Sequence, residues 1–201
     1  MRDEILVHLK TVDPGLEVFL DKYPDIKDLV EHKPEKYFEH LMRHIVYQQI
    51  SGKAGDAIWK RLIHLTGSVP NPEILIEIEF ERLREAGLSN SKANYVLNIA
   101  NAFIDKSIVP KDLNQKSDEE VIEILTQIKG IGRWTAEMFL MFTLGREDIF
   151  SLGDLGLKKG FAKVKNMKKD PSPKYLTRMT KKWSPYRSYA SLLLWRSLDN
   201  R

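Results

Sequence analysis

The chain has 201 residues, 42% of them hydrophobic, no cysteine and a formal charge of +4. A folded chain of this length buries roughly 70 to 75% of its unfolded surface, so one globular body divisible into two lobes is expected and intrinsic disorder is excluded. Without thiols there is no disulfide framework, thiolate zinc site, cysteine nucleophile or cysteine-ligated iron-sulfur cluster.

At the N-terminus, MRDEILVHLKTVD carries acids and no cleavage-type apolar core. No later stretch nears the ~20 apolar residues of a membrane span, so an intracellular protein with no membrane partner is expected. Pro34 opens a segment with Tyr37, Leu41, Ile45 and Gln49 at four-residue spacing and Phe38 and Met42 beside them, which predicts a helix ending near Ser51. His40 and His44 in that helix lack the third ligand a metal needs and are read as surface or core histidines. Ser51 then caps a second helix through Ile58, Leu62 and Leu65, stopped by Gly67. Asn71-Pro72, Ser172-Pro173 and Ser184-Pro185 each pair an N-cap with proline at the first helical position. A helix from about Ser89 carries Tyr95, Ile99 and Phe103, and Ser117 with Glu120 forms a capping box ahead of Val121, Ile122, Leu125 and Ile128. Alternation is confined to ILIEIEF at 74–80, where Pro72 favours a helix start. The fold class is therefore all-α, about ten short helices, with 166–173 as the one flexible stretch.

The densest signal is Leu125-Thr-Gln-Ile-Lys-Gly-Ile-Gly-Arg-Trp-Thr-Ala136. One helix ends, Gly130 and Gly132 make a tight turn, and another begins at once through Trp134, Met138 and Phe142. Glycine at both turn positions permits positive φ and lets a bulky anion reach backbone amides at the new helix N-terminus. Such contacts position a phosphate backbone without reading its sequence. Taken alone, the Gly-x-Gly turn is better read as an ordinary αα-hairpin; the flanking Lys129 and Arg133, the apolar Leu125 and Ile128 and the features downstream tilt it toward anion binding.

Further on, Asp154 follows Gly153 as the single acid between Asp148 and Asp170, and it suits an N-cap. Between Gly156 and Arg187 stand eleven Lys or Arg and one acid, Asp170, a local charge of +10; the remaining 21 basic and 27 acidic residues sum to −6. That asymmetry points to a polyanionic partner, with a solvated lysine-rich face as the alternative. A carboxylate beside phosphate is repelled, so Asp154 gains a purpose if the reaction develops positive charge on a sugar.

The hairpin motif followed by Asp154 resembles the helix-hairpin-helix DNA glycosylase superfamily, in particular its 3-methyladenine DNA glycosylase II branch. Gln48-Gln-Ile-Ser51, Gly87-Leu-Ser89 with Lys92, and Trp183-Ser-Pro-Tyr-Arg-Ser-Tyr-Ala190 with Trp195 are similar to the same branch, so the resemblance spans about residues 35–198. It implies two helical lobes with the active-site cleft between them: 40–150, containing the hairpin at about 118–143, and a second lobe from 1–39 plus 151–201. About 35 residues without a strand pattern precede the match, which implies the minimal form lacking an N-terminal β-domain.

The resemblance also assigns roles. Asp154 becomes the catalytic aspartate facing the sugar of a flipped nucleotide, Trp134, Met138 and Trp195 line the base pocket, and Gln48 or Gln49 fills the gap in the duplex. Lys129, Gly130, Gly132, Thr135 and Lys158 contact DNA, and the carbonyls of Thr126, Ile128 and Gly130 hold a structural Na+ or K+; no cofactor is required. Relatives that also cleave the backbone place a lysine where this chain has Trp134, so a monofunctional N-alkylpurine glycosylase of base excision repair is implied, leaving an abasic site. Some relatives carry a tyrosine in place of Met138. The expected partner is double-stranded DNA with alkylated bases. The protein would act as a monomer, in the cytoplasm (nucleoid) of a prokaryote or the nucleus of a eukaryote. The alternatives are a uracil or mismatched-base glycosylase and a non-catalytic helix-hairpin-helix module.

Overall fold

The computed structural model describes residues 2–23 and 26–199, so the outer ends of the expected lobes, at 1 and 200–201, lie outside the described residues. Among the described residues there are thirteen α-helices and no strand. They are α1 Arg2–Val12, α2 Glu17–Lys22, α3 Tyr37–Tyr47, α4 Gly52–Thr66, α5 Pro72–Ile76, α6 Phe80–Glu85, α7 Asn90–Ile104, α8 Pro110–Leu113, α9 Asp118–Thr126, α10 Arg133–Phe142, α11 Leu155–Val164, α12 Pro173–Thr180 and α13 Arg187–Leu198. The fold is all-α, with helices shorter and more numerous than the periodicity suggests.

Local chemistry starts several of these helices. Side chains of Ser51, Asn71, Ser89 and Ser172 accept the amides of Ala54, Ile74, Lys92 and Tyr175, and Ser117 with Glu120 closes a capping box. Ser184-Pro185 departs from expectation. The Ser184 hydroxyl donates to Asp148 at 2.7 Å, and α13 begins at Arg187, whose amide reaches Asp148 Oδ1 at 3.3 Å. A carboxylate distant in sequence thus replaces the local cap.

The chain divides into two compact units. One comprises Met1–Val30 with Gly145–Arg201, the other Glu31–Leu144. The latter begins ahead of residue 40 because the His32 amide donates to the Thr143 carbonyl at 2.9 Å and buried Tyr37 packs edge-on against Phe139. It ends before 150 because 145–150 belong with α13: the Ser188 amide donates to the Glu147 carbonyl at 2.9 Å, and Arg187 Nε to Asp148 at 2.7 Å.

The 31–144 unit packs the apolar faces of α3, α4, α7, α9 and α10, with Leu41, Ile45, Leu62, Val96, Ile99 and Phe139 fully buried. Each such side chain stabilises the fold by roughly 1.5 to 3 kcal/mol. In the other unit Leu9, Leu16, Leu157, Phe161, Trp183 and Leu193 form the core. Here Asp13, also buried, accepts from Trp183 Nε1 at 2.9 Å, from Lys182 at 3.2 Å and from Lys165. Burial opposes ionisation of Asp13, but these donors outweigh it and hold the carboxyl below its usual range.

Candidate active site

In the 31–144 unit, α9 and α10 are joined by a turn in which the Ile131 amide donates to the Ile128 carbonyl at 3.0 Å. Gly130 has φ +114, and a Cβ there would lie 2.3 Å from the Tyr95 ring. Asn98 Nδ2 donates to the Lys129 carbonyl at 2.9 Å. Helix α7 thus clasps the turn through Tyr95 and Asn98, two residues that spacing alone did not single out for this job. Gly132 corrects an expectation: its φ of −90 and ψ of 170 are extended, so only Gly130 needs the left-handed region. An added Cβ at 132 would meet nothing within 4 Å. As N-cap of α10, Gly132 offers no side-chain acceptor to the amides of the first turn, which carries Arg133, Trp134 and Thr135.

Around this N-terminus Lys129, Gly132, Arg133 and Trp134 are exposed. Trp134, at 39%, is no core residue. Met138, at 4%, and Thr135, at 2%, are buried instead. The Thr135 hydroxyl accepts from Gln48 Nε2 at 3.0 Å. Arg133 forks onto Glu119 at 2.7 and 2.9 Å and reaches Glu137 at 3.1 Å; the paired carboxylates raise the guanidinium pKa further.

Helix α3 stops at Tyr47, short of Ser51. Lys92 Nζ donates to the carbonyls of Val46 and Gln48, both at 2.7 Å, and burial pushes its pKa down. Gln49 then turns into the left-handed region at φ 57 and is exposed, whereas Gln48 is tied to Thr135. A non-glycine residue held there is strained.

Within the same unit, His40 Nδ1 lies 3.1 Å from Thr143 Oγ1 and its ring packs on His32, while burial pushes the His44 pKa down to about 4. No group of three or more His, Cys, Asp or Glu suited to a metal occurs among the described residues. Of the expected cation ligands, Thr126 ends α9 and Ile128 and Gly130 lie in the turn after it; their backbone carbonyls are hard oxygen donors.

In the unit of both chain ends, Asp154 is the N-cap of α11 and 9% exposed. Its Oδ1 accepts the Leu157 amide at 2.7 Å and the Trp195 indole Nε1–H at 3.0 Å. Trp195 is half-buried, as is Lys158 one turn into α11. A cavity of about 420 Å³ in this unit, floored by Phe150 and Leu152 and rimmed by Lys181 and Arg187, includes none of the expected site residues. Among the described residues no helix is long and apolar enough to cross a membrane.

A glycine-opened hairpin joining two helices, followed in sequence by a helix-capping aspartate, defines a helix-hairpin-helix protein. The chain belongs to the HhH-GPD superfamily of base excision DNA repair proteins, matched over residues 42–185. It is 34% identical over 197 residues to DNA-3-methyladenine glycosylase 1 of Schizosaccharomyces pombe, covering 95% of this chain and 85% of that protein. The solved structure of the Schizosaccharomyces pombe 3-methyladenine DNA glycosylase Mag1 in complex with abasic DNA matches with a TM-score of 0.87 at 32% identity, covering 96% of this chain and 95% of that one. That of a DNA-3-methyladenine glycosidase from Bacillus halodurans matches with a TM-score of 0.82 at 35% identity, covering 96% and 89%.

Proposed function

We propose that this protein is a monofunctional DNA-3-methyladenine (N-alkylpurine) glycosylase of base excision repair. One observation carries the reading: Asp154, nearly buried, is held by two donors at the sequence position where the family keeps its catalytic aspartate. The relatives named as 3-methyladenine glycosylases support the substrate class.

The damaged nucleotide leaves the base stack, since its glycosidic bond is unreachable inside the duplex. An N-alkylated purine carries positive charge, so it departs with the bonding electron pair as a neutral base and needs no acid. Asp154 stabilises the oxocarbenium-like sugar and orients the water that adds to it, leaving an abasic site. In the 31–144 unit the exposed, electron-rich ring of Trp134 would attract a cationic base by ~0.5 to 2 kcal/mol, and Trp195 is the other aromatic assigned to the base. Met138, buried further along α10, is the third side chain assigned to the base. Exposed Gln49 is the better of the two glutamines to fill the gap in the duplex, with Gln48 bracing it.

Backbone amides of the α10 first turn, together with Lys129, Gly130, Gly132 and Lys158, bind phosphates. The carbonyls of Thr126, Ile128 and Gly130 would hold a monovalent cation, which would supply positive charge for phosphate binding and take no part in bond breaking. The protein acts as a monomer, wherever the cell keeps its DNA.

The test is purified protein against duplexes each carrying one defined lesion, scored for abasic sites after alkaline cleavage. Release of alkylated purines is expected. Release of uracil or mismatched bases alone, or binding with no release at all, contradicts the reading.

A further inference from the structure

Asp154 and Trp195 meet because two helices approach closely. Gly156 and Gly160 stand one turn apart on α11. A Cβ at 160 would lie 2.5 Å from the Leu194 carbonyl oxygen. At 156 it would lie 2.9 Å from Trp195 Cδ1 and 3.0 Å from both Trp195 Nε1 and Asp154 Oδ1. Any other residue at 160 pushes α13 off α11, and any other residue at 156 wedges between the indole and the carboxylate. Glycine weakens a helix interior, so two of them in one short helix are a cost that this close approach explains.

The bond itself is specific. The Leu157 amide comes from the helix that Asp154 caps. Trp195 Nε1–H comes from another helix and lands on the same oxygen, Oδ1. Two donors from different directions fix the plane of the carboxylate. A charge that must stabilise a transition state works best when it is held in place beforehand, because no reorganisation is then needed at the moment of reaction.

We propose that Trp195 is a positioning residue: its indole N–H, admitted by the missing side chain of Gly156, orients Asp154 for base release. The proposal rests on the glycosylase reading above and adds to it. Stacking on a base uses the face of an aromatic ring, whereas holding Asp154 uses the N–H edge, so the two roles can be separated.

Trp195→Phe keeps an aromatic face and removes the donor. Gly156→Ala keeps the indole and wedges it away. Each should slow single-turnover release of an N-alkylpurine by about 10- to 100-fold, the loss expected for a hydrogen bond to a charged group, with affinity for an abasic-site duplex unchanged. Wild-type release rates in Trp195→Phe, or a loss confined to affinity, would leave the ring only a stacking role and overturn the proposal. A second readout needs no activity. In protein labelled with 15N-tryptophan, the Trp195 indole N–H, assigned by its disappearance in Trp195→Phe, should exchange slowly with solvent in wild type and quickly in Asp154→Ala. Equal exchange in the two proteins refutes the bond. Wild-type protein that releases no alkylpurine removes the glycosylase reading and the catalytic role with it, and the exchange rates still decide whether the indole holds Asp154.

Discussion

Two helix N-termini in this chain are built in opposite ways. Helix α10 starts at Gly132, which has no side chain, an extended backbone and open space where a Cβ would be. Helix α11 starts at Asp154, whose own carboxylate takes the Leu157 amide. The first leaves its amides without a side-chain cap, which suits an external anion. The second is capped from within and has no such need, so the charge of Asp154 is spent on its surroundings. On the proposed function one N-terminus serves binding and the other chemistry, and substitutions should separate them.

The largest effect is expected from Asp154→Asn. Asparagine caps a helix about as well as aspartate, so the fold should survive, while base release falls by ~10³-fold with loss of the transition-state charge. Duplex affinity should hold or rise, since a repulsion with phosphate disappears too. Near-normal turnover would move the chemistry elsewhere.

Next comes the contrast of the hairpin glycines. Gly130→Ala meets both a positive φ and the Tyr95 ring and should cost about 2 to 3 kcal/mol in a denaturation experiment. Gly132→Ala should cost no more than about 1 kcal/mol, because its backbone is ordinary, yet weaken DNA binding by obstructing the amides. Equal stability losses at the two positions would erase the distinction.

Trp134→Ala should lower base-release efficiency roughly 5- to 150-fold, as expected for losing one base-stacking ring, with little change in the melting curve because the indole is already exposed. A large stability loss with normal release would return Trp134 to a packing role.

The smallest effect concerns acid. Burial pushes the His44 pKa from its ordinary 6.5 to about 4, so the folded protein keeps it neutral. The unfolded chain binds the proton first, so stability is complete above the unfolded value and falls as pH drops from about 6.5 toward 4. In His44→Gln that part of the pH dependence should vanish from the unfolding curves.

The helix starts were legible in the sequence wherever the cap is local: Ser51, Asn71, Ser89, Ser117 and Ser172 bond to amides three residues ahead. Ser184 was not, because Asp148, far away in the chain, takes its hydroxyl. The end of α3 was misplaced for a similar reason, since Lys92 draws off its last carbonyls. Among the candidate site residues, the N-cap at Asp154 and the hairpin turn followed from residue order, while their proposed roles came from the family resemblance. The fates of the tryptophans did not: Trp134 is exposed and Trp183 fully buried, and periodicity cannot tell a wall from a core. The hold of Trp195 on Asp154 depends on two glycines across a helix contact, which spacing does not reveal.

Water, rather than an amine of the protein, is the nucleophile in this account, because Trp134 stands where strand-cleaving relatives keep a lysine. Borohydride trapping on a duplex with one N-alkylpurine tests that directly. Wild-type protein should yield free base, an intact abasic strand and no covalent adduct, whereas Trp134→Lys supplies an amine that borohydride can capture. A trapped adduct from wild-type protein, or strand cleavage before alkali, would contradict it.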